Sequence, residues 1–359
     1  MDKALKLEIL ELMIKARCLE ERMVKMSKSS DGFFWLGGVG EEAFNIPLGM
    51  LAKCRSHAED PDHNPLDYDF FHFHYRNAGT MLAFGMEPVE EIRQMHNRAS
   101  DPFSGGRNFC NHFSRKKWNV VPVTSTIQTQ CVTAPGTALA QKLHGGDGLT
   151  VVTFGDAGTA EGDFHVGLNW ATQPVKNRQT GEDLGVGTPL LFICTNNQYG
   201  ISTDYSDVHG QDQIVNIAAG YGMPTKVING NDVEESWNAL KEAMDYVRKE
   251  RKPYFLEAMV SRLNGHSSSS GANRVKAVAS EKEHVPGENE VDPLLVWVNK
   301  LVKSRVIKKD YFSKRYEEET ERMKKILAEV KQEAGPEGES IYNHTFMAEI
   351  PGREAQQYE

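Results

Sequence analysis

Leu5, Ile9, Leu12 and Met13 recur at helical spacing between residues 2 and 27 while Lys and Glu fill the opposite side, a pattern that predicts an amphipathic helix. Residues 30–66 break that rhythm. Gly37-Gly38-Val39-Gly40 and a polar stretch from Arg55 to Leu66, with His57, His63 and several carboxylates, predict a loop-rich surface excursion. Further on, Leu149 to Phe154 and Pro189 to Cys194 are short apolar runs stopped by Gly155-Asp156 and Asn196-Asn197, the pattern of parallel strands buried on both faces. Phe164, Leu168 and Ala171 put a helix between them, and a right-handed crossover brings both strand ends to one edge. Asp232 with Glu235 three residues on predicts a capped helix carrying Trp237, Leu240, Met244 and Val247, which leads into a strand from Tyr254 to Val260. Leu294, Leu295, Val298, Leu301 and Val302 predict one more helix, and Met323, Ile326, Leu327 and Val330 another that ends before Gly335-Pro336. The apolar islands beyond, at Ile341, Phe346 and Ile350, predict a tail that frays or docks on another subunit.

Composition narrows the class of protein. The chain has 359 residues, enough for one large domain or two ordinary ones, and 39% hydrophobic with 25% charged residues is the balance of a soluble globular protein. A net charge of −9 offers no footprint for a nucleic-acid backbone. The five cysteines are scattered and never spaced C-x-x-C, so neither a disulfide framework nor a thiolate zinc site is expected, and a reducing cytoplasm fits. No signal-peptide core and no stretch of about 18 uncharged apolar residues is present, so neither export nor a membrane span is expected.

Ligands of open parallel sheets bind beyond the carboxyl ends of the strands. The residues there are Asp156, Asn196, Asn197 and the loop holding His266. A carboxylate, a carboxamide and backbone carbonyls are hard oxygen donors suited to Mg²⁺ or Ca²⁺, and Mg²⁺ commonly completes its shell with phosphate oxygens. The small residues of Gly155-Asp156-Ala157-Gly158 let backbone amides approach an anion, although the same string also reads as a tight turn with Asp capping a helix. Neither G-x-G-x-x-G nor G-x-x-x-x-G-K-[ST] is present, which leaves nicotinamide binding and P-loop hydrolysis without their usual warrant.

Gly155-Asp156-Ala157, Glu161-Gly162-Asp163-Phe164-His165 and Asn196-Asn197-Gln198-Tyr199-Gly200-Ile201-Ser202-Thr203 together resemble the thiamine-diphosphate motif. With Gly40-Glu41-Glu42, Tyr75-Arg76-Asn77-Ala78-Gly79, Thr129-Gln130, Gly230-Asn231-Asp232-Val233 and Gly265-His266-Ser267 in order, most of residues 15–305 resembles the alpha subunit of the decarboxylating first component of 2-oxo acid dehydrogenase complexes, closest to the branched-chain type. The resemblance implies a three-layer thiamine-diphosphate-binding fold, a parallel sheet covered by helices with helical extensions at both ends. Its expected divisions are an N-terminal helix (1–30), the diphosphate-binding domain (31–275), C-terminal helices (276–335) and a subunit-docking tail (336–359).

The same resemblance implies that Asp156, Asn197 and the Tyr199 carbonyl bind Mg²⁺, and that Tyr75, Arg76 and His266 hold the diphosphate. Ser125, Ala157 and Gly158 match further cofactor contacts. Ile127 matches the apolar prop beneath the bent cofactor, and Thr129 and Gln130 match positions that hold K⁺ in branched-chain relatives. His266 would serve as donor or acid near the reacting centre, a role suited to a near-neutral pKa. Implied partners are a beta subunit in an α₂β₂ tetramer, which carries the carboxylate that activates the cofactor, a lipoyl-bearing acyltransferase component, and a small 2-oxo acid. A branched-chain acid is favoured over pyruvate or acetoin, and the reading from another class is a non-catalytic paralogue.

Four departures from the family pattern stand out. Ala157 replaces a glycine, Lys176 to Thr188 lengthens the interval between Asp156 and Asn197, Thr195 replaces a charged residue, and Ser269-Ser270-Gly271 replaces an acidic segment. Ser267 to Ser270 match a loop that is phosphorylated in some relatives. His72 and His74, two apart on a strand-like run, share a face and are expected to line the substrate mouth, with a zinc site shared with His57 or His63 as the lesser reading.

Overall fold

The computed structural model describes residues 1–29, 31–54, 64–269, 278–279 and 290–342. Its helices are α1 (Lys3–Ser27), α2 (Glu42–Leu51), α3 (Ala78–Ala83), α4 (Pro88–Met95), α5 (Thr129–Leu143), α6 (Gly162–Ala171), α7 (Tyr205–Val208), α8 (Val215–Ala219), α9 (Val233–Glu250), α10 (Pro293–Lys303) and α11 (Tyr311–Val330). The strands are β1 (Phe70–His72), β2 (Thr150–Gly155), β3 (Pro174–Lys176), β4 (Asp183–Val186), β5 (Leu190–Asn196), β6 (Thr225–Asn229), β7 (Tyr254–Met259), β8 (Val278–Ala279) and β9 (Glu290–Val291).

β1, β2, β5, β7 and β6 form one sheet in that spatial order, with every pairing parallel. Side chains alternate between its two faces, so an apolar run must serve two cores. Leu149, Val151, Leu191, Ile193, Leu256 and Ala258 join the core built with α1, α2, α9, α10 and α11. Val152, Phe154, Leu190, Phe192, Cys194 and Phe255 join the core under α5, α6 and α8. This is the expected three-layer architecture. Parallel pairing of β2 with β5, in register from Thr150↔Leu190 to Gly155↔Thr195, delivers Asp156 and Asn197 side by side at one sheet edge.

The predicted helices form with the caps their sequences carry. Asp2 accepts from the Leu5 amide at 2.8 Å, and Asp232 accepts from the amides of Glu234 and Glu235 at 2.8 and 3.0 Å. Glu235 departs from the expected box, since its carboxylate takes the Asn229 amide at 3.0 Å and so ties α9 back to β6.

One reading of the chain is corrected. Residues 31–54 are core and not a surface excursion: they contain α2 and bury Trp35, Leu36, Phe44 and Ile46. The glycines that read as loop signals permit close packing, because a Cβ on Gly38 would stand 2.6 Å from the Arg76 carbonyl. The interval from 176 to 188 is largely an exposed surface hairpin, β3 antiparallel to β4, closed at its base by the Gly187 amide donating to the Gln173 carbonyl at 2.9 Å. His57, His63, Ser270, Gly271 and Phe346 lie outside the described residues. Among the described residues no helix is long and apolar enough to cross a membrane, and all five cysteines are free thiols.

Candidate active site

Asp156 follows β2 directly and is 2% exposed. Its Oδ1 accepts the Asn197 amide at 3.3 Å, while its Oδ2 is buried with no hydrogen-bond partner. Burial pushes its carboxyl up to about 6, opposed by hydrogen bonds and by Arg262 and Arg76. Asn197 Oδ1 accepts the Tyr199 amide at 3.2 Å, and the Tyr199 carbonyl accepts Arg262 Nη1 at 2.7 Å. An sp² oxygen has two lone pairs, so both oxygens retain capacity for a cation. No group of three His, Cys, Asp or Glu side chains among the described residues could hold a metal, so a cation here depends on the carboxamide and carbonyl as well.

The segment after β1 supplies the positive side. Arg76 is 4% exposed, donates to the Gly37 carbonyl, and stands 3.8 Å from Glu41. Its Nη2 meets His266 Nδ1 at 3.2 Å, and His266 Nε2 meets the Tyr75 hydroxyl at 3.3 Å. Guanidinium has only donors, so Nδ1 accepts and the ring proton sits on Nε2, facing Tyr75. Burial, then Arg76 and Arg262, hold His266 down to about 3, which corrects the near-neutral expectation. In this state it is a neutral hydrogen-bonding group, because two neighbouring guanidiniums disfavour a third cation. Burial pushes Glu41 up to about 8, with Arg76 opposing.

A segment before α5 closes the other side. Gln128 has a φ of +68° and starts α5 in the left-handed region. A Cβ on Gly158 would stand 2.4 Å from Gln128 Nε2 and 2.7 Å from Ile127 Cγ2, so these two side chains lie directly on the turn after β2. The need for glycine therefore falls on Gly158. Ala157 has an ordinary φ, and its methyl packs toward Gly200. Ile127 is 43% exposed despite being apolar. Gln130 donates to the Thr153 carbonyl at 3.3 Å and leaves Oε1 buried without a partner, beside the half-buried Thr129.

Tyr75, Arg76, Asp156, Asn197, Tyr199 and His266 are thus brought to one sheet edge, with Ile127 and Gly158 in contact there. His72 belongs elsewhere, bonded to Thr137 and Thr133 of α5 at 2.9 and 3.2 Å, while the His74 ring lies 3.8 Å from that of Tyr75. Ser267 is buried and Ser269 exposed, with Ser268 donating its amide to Trp35 at 2.8 Å. Three site residues escaped the sequence reading: Arg262, His112 and Gln128. Arg262 lies four residues before His266 and Gln128 directly after Ile127, so both sit inside stretches that the motifs already mark, whereas nothing local marks His112.

A family model described as dehydrogenase E1 component matches residues 10–339. The chain is 32% identical over 285 residues to the 2-oxoisovalerate dehydrogenase subunit alpha of Bacillus subtilis (strain 168), covering 79% of this chain and 78% of that one. It is 30% identical to the mitochondrial 2-oxoisovalerate dehydrogenase subunit alpha 2 of Arabidopsis thaliana over 74% of this chain and 51% of that one. It is 29% identical to the mitochondrial 2-oxoisovalerate dehydrogenase subunit alpha of Dictyostelium discoideum, where the matched stretch spans 55% of the relative.

Proposed function

Because the chain belongs to the dehydrogenase E1 component family, we propose that it is the alpha chain of a thiamine-diphosphate-dependent 2-oxo acid dehydrogenase acting on a branched-chain acid. The observation that carries this reading is the pairing of Asp156 and Asn197 at adjacent strand ends, opposite buried Arg76 and half-buried His266. The donor set fits the cofactor, since the partnerless oxygens of Asp156 and Gln130 are anionic or carbonyl acceptors that a cation would satisfy.

In this reading Asp156, Asn197 and the Tyr199 carbonyl hold Mg²⁺, and Gln130 with Thr129 holds K⁺. Tyr75, Arg76 and His266 bind the diphosphate, with Arg76 supplying fixed positive charge and His266 a neutral donor. Ile127 offers the apolar support, and Ser125, Ala157 and Gly158 line the remainder. Bound thiamine diphosphate supplies the electron sink needed to cleave the bond next to a 2-oxo group. This chain positions that group, and a beta chain in an α₂β₂ tetramer contributes the activating carboxylate. The acyl product passes to a lipoyl-bearing acyltransferase, and the cytoplasm is the proposed location.

The experiment is CO₂ release from 3-methyl-2-oxobutanoate and from pyruvate by this chain co-expressed with a beta-type partner, with and without thiamine diphosphate and Mg²⁺. Cofactor-dependent turnover that favours the branched acid is the expected result. Preference for pyruvate overturns the substrate assignment, and a cofactor-loaded complex that releases no CO₂ from either acid points to the non-catalytic paralogue.

A further inference from the structure

His112 reaches the site through the Ser125 hydroxyl, and its surroundings hold it in one tautomer. The ring is 3% exposed, and its backbone is clamped from α4 by Gln94, which donates to the His112 carbonyl at 3.0 Å and accepts its amide at 3.3 Å. The preceding residues are bolted down as well. Asn111 donates to the Leu36 carbonyl at 2.6 Å, its amide donates to Glu91 at 2.7 Å, and Phe109 meets the His112 ring edge-on at 5.8 Å.

His112 Nδ1 lies 3.0 Å from the Cys110 carbonyl, which can only accept, so Nδ1 carries the proton. Burial also lowers the pKa of this ring and favours the neutral form. Nε2 is then an acceptor, and its partner at 2.6 Å is the hydroxyl of Ser125. Ser125 is exposed, two residues before the Ile127 that lies on Gly158. A free serine hydroxyl can donate or accept, whereas one whose proton is committed to a fixed imidazole can only accept from any further partner.

We infer that His112 is a positioning residue that commits the Ser125 proton and thereby presents Ser125 Oγ to the bound cofactor as a hydrogen-bond acceptor for an N–H group. This rests on the proposed function, in which the cofactor is thiamine diphosphate, and the N–H donor that thiamine diphosphate carries is its aminopyrimidine amine. Ser125 thus selects for an amine and against a carbonyl at that place, and His112 sets the choice from outside the contact.

The test is calorimetric binding of thiamine diphosphate with Mg²⁺, and of its 4′-oxo analogue, to the alpha–beta complex carrying Ser125→Ala, His112→Phe, His112→Gln or the Ser125→Ala/His112→Phe pair. Ser125→Ala and His112→Phe are each expected to weaken thiamine diphosphate about tenfold, one hydrogen bond's worth. The pair is expected to be no weaker than either single variant, since both remove one interaction. His112→Phe should also lose about tenfold of the preference for the amine over the 4′-oxo analogue, while His112→Gln, whose amide oxygen restores an acceptor, keeps it. A packing defect alone would lower the melting temperature of both His112 variants without moving that preference. Additive losses, or an unchanged preference in His112→Phe while Ser125→Ala weakens binding, overturn the inference and leave the function standing. An unchanged affinity in Ser125→Ala overturns the inference at its serine, and a wild-type complex that binds no thiamine diphosphate overturns the functional reading with it.

Discussion

The Asn197 amide donates to Asp156 Oδ1 at 3.3 Å, which locks the ends of β2 and β5 together and leaves Asp156 Oδ2 buried without a partner. A buried carboxylate with one oxygen unsatisfied is costly to the ligand-free fold and becomes favourable once a cation is present. Asp156→Asn is therefore expected to weaken Mg²⁺-dependent thiamine diphosphate binding by at least about tenfold, the effect that loss of even an outer metal partner commonly has. The melting temperature without ligand should stay level or rise. Calorimetry and thermal melts measure both, and unchanged affinity would remove Asp156 from the metal site.

Gly158→Ala forces a methyl against Gln128 Nε2 and Ile127 Cγ2, at the 2.4 and 2.7 Å that its Cβ would adopt. Overpacking of this kind costs about 1–3 kcal/mol. Displacing Ile127 should also weaken cofactor binding. By contrast, Ala157→Gly relieves nothing at an ordinary φ and should cost under about 1 kcal/mol. Urea titration of the two variants distinguishes them, and equal effects would show that the turn does not depend on Gly158.

Arg17 on α1 pairs with Glu42 of α2 at 2.6 Å and with Asp292, the cap of α10, at 2.8 Å, with all three side chains under 5% exposed. Arg17→Met leaves two buried carboxylates facing each other. The expected loss is about 3–5 kcal/mol, the usual result of breaking a buried pair from one side. A denaturation midpoint within error of the parent would mean that water reaches these carboxylates.

Burial holds His72 down to about 4 from an ordinary 6.5. As pH falls through 6.5 the unfolded chain takes the proton first, so the native state loses stability between pH 6.5 and about 4, and this group adds nothing further below that. His72→Gln should flatten the dependence of stability on pH in that window by up to about 1.4 kcal/mol per unit. An unchanged slope in pH-resolved unfolding would show that His72 stays accessible to protons in the native state.

Local pattern was sufficient for the elements that obey it. Runs such as Leu149 to Phe154 and Leu190 to Cys194 read as strands buried on both faces because every residue is apolar or small, and Asp232 marks the start of α9 because a carboxylate there satisfies two amides. The motif strings around Asp156, Asn197 and His266 were equally legible, since turn residues at strand ends carry their chemistry in their identity.

Tertiary structure alone decided the rest. Gly37 to Gly40 look like a loop in sequence and are core in space, because the absence of side chains lets Arg76 and Ser261 approach their backbone. His266 has the identity of an acid–base residue, yet burial first, and then the guanidiniums of Arg76 from a distant segment and of Arg262 four residues away, keep it neutral. His112 has no neighbour in sequence that points to Ser125, and only the packing of its loop on α4 sets their 2.6 Å contact. Residue type and spacing determine which groups are present at the sheet edge. Long-range packing determines their charge, their tautomer and the direction in which each hydrogen bond points, because those depend on distances between segments that no local pattern encodes.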